Sequence, residues 1–83
     1  MGKHTHTKDE SFMIALYEAA LKTGDSGTPV DRYAVGEVAG MHPKGVDATC
    51  KLLVQANFIK KSSETDIYLT PHGEKLVLSL LER

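Results

Sequence analysis

Tryptophan is absent, and the aromatic side chains are limited to three tyrosines and two phenylalanines. The core must therefore be assembled mainly from Leu, Val, Ile and Ala, a composition that suits packed helices. Cys50 is the only cysteine, which excludes an intramolecular disulfide and a four-cysteine zinc site and fits a reducing compartment, with the cytoplasm as the expectation. No stretch approaches the roughly 18 apolar residues that a membrane span requires. Met1 to Glu10 is polar and charged with no apolar segment behind it, so no export leader is read there. A dominant charge sign is missing too: the formal net charge is −1, which counts against a nonspecific nucleic-acid coat protein.

What is present fits one domain over residues 1–83, with residues 1–7 expected as a flexible N-terminus. No internal repeat or low-complexity tract interrupts it. The charge is unevenly distributed. From His42 to Lys61, four lysines (44, 51, 60 and 61) stand against Asp47, giving plus three and leaving minus four for the rest of the chain.

Thr7 and Glu10 have the spacing of a capping box, and Phe12, Met13, Leu16, Tyr17, Ala20 and Leu21 recur at helical spacing, which predicts a first helix over Lys8 to Lys22. Gly24 is expected to stop it in a left-handed turn, followed by a flexible linker over Gly24 to Pro29. Val30 reads as a very short strand, and Asp31 as the N-cap of a second helix ending near Ala39. Gly40 suits a tight bend, and His42 with Pro43 opens a third helix that runs to about Ala56. On it Val46, Cys50 and Leu53 form an inward stripe, opposite Lys44, Asp47, Ala48 and Lys51. Asn57 is expected in a left-handed turn, and Phe58 to Lys61 and Asp66 to Leu69 as the strands of a hairpin. Thr70 and Pro71 start a last helix carrying Leu76, Val77, Leu78, Leu80 and Leu81.

Val30 to Lys61, with Gly36, Gly40, Val46 and Leu53 at their positions, resembles the helix-turn-helix of winged-helix regulators. Ile67-Tyr68-Leu69-Thr70-Pro71-His72-Gly73 is similar to the second wing strand and following helix start of the MarR and PadR kinds of transcriptional regulator. The resemblance implies an α+β, mostly α fold: a winged helix-turn-helix with a three-helix core, a β-hairpin wing and a C-terminal helix. It also implies double-stranded DNA as partner, the third helix in the major groove and the wing on the backbone.

In that mode His42, Lys44, Gly45, Asp47, Ala48 and Lys51 face DNA, and Lys60 and Lys61 anchor the wing to phosphates. The sequence departs from the family's pattern at Asp47 and Ala48, where such regulators often place Ser and Arg. Asp47 can accept from a cytosine amino group, yet an acid beside phosphates more often repels. An ordinary solvated helix face is the competing account of the lysines, and a winged-helix module that binds protein rather than DNA is the competing function. Leu76, Val77, Leu80 and Leu81 either cover the first helix or form a homodimer interface, a common use of the terminal helix in this family.

Other signals carry less. Gly24-Asp25-Ser26-Gly27-Thr28-Pro29 resembles a protease nucleophile loop without the scaffold that such catalysis needs. It also lacks the Gly-Lys-Ser or Gly-Lys-Thr ending of a phosphate loop. His4 and His6 lack a further fixed ligand for a metal. Cys50 and Tyr68 are expected to pack rather than react or stack on a base. The chain is therefore expected not to be an enzyme and to need neither metal nor cofactor.

Overall fold

The computed structural model describes residues 6–82. It is an α+β arrangement, mostly helical, in the order α1 (Lys8–Thr23), β1 (Val30–Asp31), α2 (Arg32–Val38), α3 (Pro43–Gln55), β2 (Ile59–Lys61), β3 (Asp66–Leu69) and α4 (Pro71–Leu81). The flexible N-terminus expected over residues 1–7 falls outside the described residues as far as residue 5. Thr7 already belongs to the helix start. Its hydroxyl accepts from the Glu10 N–H at 3.1 Å while the Glu10 carboxylate accepts from the Thr7 N–H at 3.0 Å, the reciprocal box that satisfies two otherwise orphaned donors.

α1 does not end in a left-handed glycine. Gly24 has φ 177° and ψ −124°, and its N–H donates to the Ala20 carbonyl. Glycine leaves room there for the Thr28 hydroxyl, which a Cβ would displace. The following segment is a knotted turn rather than a loose linker. The Asp25 carboxylate accepts from the Gly27 N–H (2.9 Å), the Thr28 hydroxyl accepts from the Asp25 N–H (2.9 Å), and the Ser26 hydroxyl donates to Glu74 of α4 at 2.8 Å.

β3 is the central strand of an antiparallel sheet of order β1-β3-β2, with Val30 opposite Ile67 on one side and Ile59 opposite Leu69 on the other. Its Ile67 and Leu69 point inward to meet Phe12, Met13 and Leu16 of α1, Val35 of α2, Val46 and Leu53 of α3, and Val77 of α4 in one buried cluster. Removing each large side chain from water contributes about 1.5–3 kcal/mol. Tyr68 alternates to the other face and is half-buried, as expected of a packing residue.

The phrase from Leu69 to Gly73 fastens the hairpin to α4. The Thr70 hydroxyl is buried, accepts from the Gly73 N–H at 3.0 Å and donates to the Asn57 carbonyl at 2.7 Å. Asn57 itself takes the expected left-handed turn, φ 67°. The Phe58 carbonyl lies where a Cβ on residue 73 would be, so only glycine lets α4 come this close. The Phe58 and His72 rings stack beside it at 4.7 Å.

Candidate nucleic-acid interface

α2 and α3 are joined by a bend at Gly40, φ 74°, closed by the Met41 N–H donating to the Gly36 carbonyl at 2.8 Å. Gly36 has no side chain where a Cβ would strike Val46, which brings the two helices together at that point. His42 then caps α3 with its ring: Nδ1 accepts from the Lys44 N–H at 3.2 Å, leaving Nε2 as the remaining polar group of the ring. Pro43, in the first turn, has no N–H to leave unsatisfied.

Val46, Cys50 and Leu53 are buried, which fixes the rotation of α3 about its axis. The opposite face follows from the 3.6-residue period: Lys44, Asp47, Ala48 and Lys51 are exposed, and Gly45 is half-buried, where a Cβ would meet only Met41 Cε at ordinary contact distance. The α3 residues named from sequence are thus brought together. The hairpin lysines are not. Side chains alternate along a strand, so Lys61 shares a face with buried Ile59, towards α3, while Lys60 takes the other face opposite Tyr68.

Lys61 of the hairpin and Lys51, Val54 and Gln55 of α3 line an open groove of about 340 Å³, together with Arg32, Asp47 and Cys50. Burial pushes the Cys50 thiol up to about 11, with the Asp47 carboxylate adding to the shift and Arg32 opposing it. A protonated thiol in that position packs and does not act as a thiolate.

Arg32 was not singled out by sequence. Its side chain is only 11% exposed. Nη2 donates to the Glu64 carbonyl at 2.6 Å and Nε to the Thr65 carbonyl at 3.4 Å, both in the turn between β2 and β3. Nη1 stands 3.8 Å from Asp47 Oδ1, which also accepts the Tyr33 hydroxyl at 2.6 Å. That hydrogen bond, then loss of solvent and the carboxylate charge, raise the Tyr33 phenol above its ordinary value. Asp47 is therefore engaged with α2 through Oδ1. Glu64 and Thr65 lie more than thirty positions from Arg32, a separation that no local motif spans.

The proposed dimer residues on α4 divide differently. Val77 is 0% and Leu80 2% exposed in the single chain, and Leu76 is half-buried against the core. Val77 and Leu80 pack inward and have no face to offer a second copy. Leu81 is exposed, as is Leu78 one turn before it. Of the histidine pair, His4 lies outside the described residues, and His6 Nδ1 stands 3.7 Å from Glu10 Oε1. Among the described residues no helix is long and apolar enough to cross a membrane.

Compared with known proteins, the sequence matches no family model and no curated protein.

Proposed function

We propose that the chain is a winged helix-turn-helix protein that binds duplex DNA as a small transcriptional regulator, with α3 in the major groove and the β2–β3 hairpin as the wing. The observation that carries this reading is the groove itself: Lys51 and Lys61 line it from two elements, Lys44 stands exposed at the start of the same helix, and Asp47 is already held by Tyr33 and Arg32. Lys51 and Lys61 would take phosphates, Lys44 and His42 phosphates or base edges, and Gly45 and Ala48 would admit a close backbone or a thymine methyl. Lys60 would reach phosphate only from the outer side of the wing. A reducing cytoplasm suits the free Cys50 thiol.

Titration of a labelled mixed-sequence duplex at low and moderate salt tests the proposal. Binding that weakens with salt is expected, and no binding even at low salt overturns it. Lys44→Ala and Lys51→Ala should each lower the slope of log affinity against log salt by about one, leaving the unfolding midpoint unchanged. Unchanged affinity would move the site elsewhere.

Dimerisation through α4 would use Leu78 and Leu81 with the edge of Leu76. Sedimentation at several concentrations checks it, and a strict monomer removes it. A second reading, a winged-helix module that docks on protein, draws on exposed Leu52 of α3 and on Val54, exposed in the groove.

A further inference from the structure

Resting on the DNA reading, we propose that Arg32 is a positioning residue that sets the hairpin against α3, so that Lys61 and Lys51 face one phosphate strand from opposite walls of the groove. Arg32 sits at the start of α2, yet its contacts lie on two other elements. Its guanidinium reaches the Glu64 and Thr65 carbonyls at the hairpin turn and the Asp47 carboxylate of α3. Its backbone N–H also donates to the Thr65 carbonyl, at 2.9 Å. One planar fork thus ties the tip of the hairpin to α3, a geometry that arginine supplies and a single ammonium does not.

A direct phosphate contact is the competing role for an arginine beside a candidate DNA groove, and the geometry argues against it. The side chain is 11% exposed, and each of its three nitrogens faces an oxygen of the protein itself. Asp47 is accordingly tied through Oδ1 to the protein itself. It is the anchor on α3, held from one side by the Tyr33 hydroxyl and from the other by Arg32. This assigns a purpose to the acid that interrupts the basic face. Without it the guanidinium would grip the hairpin but have no carboxylate on α3.

Arg32→Lys keeps the charge and removes the fork. In the free protein the Ser62 and Ser63 amides, whose N–H groups donate to the Asp66 carbonyl, should exchange with solvent about tenfold faster, while α1 amides stay as protected as before. On a labelled mixed-sequence duplex the salt slope should fall by about one, the equivalent of losing Lys61. In a Lys61→Ala background Arg32→Lys should then lower the slope no further.

Additive losses, or a lysine variant whose slope and hairpin exchange match the native protein, overturn the proposal. Should Arg32→Lys fail to fold, Asp47→Asn keeps an acceptor for Tyr33 and cuts only the ion pair. It should loosen the same hairpin amides by a smaller factor, and unchanged exchange there counts against the link. A native chain that binds no duplex sinks the DNA reading alone, and the exchange measurement then decides the link by itself.

Discussion

Two helix starts in this chain are written almost alike. His42-Pro43-Lys44-Gly45 opens α3 and Thr70-Pro71-His72-Gly73 opens α4, each with a capping side chain, a proline in the first turn, a basic residue and a glycine. Their surroundings are opposite. Gly73 is buried under the Phe58 carbonyl and its cap is tied to Asn57, whereas a Cβ on Gly45 would meet only the end of Met41 and its cap is exposed. The same local grammar starts a helix in both places. Only the tertiary neighbours decide that one start is a rivet and the other a surface free to meet a partner.

The largest expected effect comes from giving each glycine a methyl group. Gly73→Ala should lower stability by about 3 kcal/mol or more, because a backbone carbonyl cannot rotate out of the way. Gly45→Ala should raise it by about 0.5 kcal/mol, since alanine is the better helix former where space allows. Urea unfolding of the pair checks both, and equal changes would erase the contrast. Duplex affinity of Gly45→Ala sharpens it further, falling if the backbone lies close to DNA.

The caps come next. Thr70→Val removes a cap and a buried donor together and should cost about 2 kcal/mol. His42→Ala, exposed and held by one longer hydrogen bond, should cost about 0.5 kcal/mol in the same measurement. A larger loss at His42 would mean that its ring does more for α3 than cap it.

An effect confined to alkaline pH lies on the buried side of α3. Unfolding returns Cys50 to the ordinary thiol value of 9.0, while the folded value is about 11. Above about pH 9 the unfolded chain sheds this proton first, so stability is full below that pH and declines as pH rises towards 11, by on the order of 1 kcal/mol. Cys50→Ala should flatten that decline in unfolding midpoints taken at about pH 8 and about pH 10.

The elements were legible because their signals are local. The Thr7–Glu10 box, the Asp31 and Thr70 caps, the Asn57 turn and the Val46–Cys50–Leu53 stripe each lie within a few residues of what they specify. The outward set on α3 followed from that stripe. Gly24 misled because a glycine after a helix signals handedness in most cases, and here answers to the Thr28 hydroxyl instead. Arg32 stayed hidden because its hairpin partners are some thirty residues away, and the two adjacent hairpin lysines are separated by strand alternation. Val77 and Leu80 read as spare apolar surface only until α1 and β3 pack against α4 and both side chains are buried.

The strand order has a consequence for how the chain is made. β1 and β2 pair only with β3, so every strand pairing among the described residues runs through Asp66 to Leu69. A ribosome delivers α1, β1, α2, α3 and β2 before that stretch exists. Until it emerges, Val30 and Ile59 have no strand to join, and Phe12 and Leu16 lack Ile67 as a neighbour. The helices and strands that precede it are thus born unfinished, and the four residues of β3 close the sheet on both sides at once, so that assembly waits for that stretch rather than proceeding by gradual accretion.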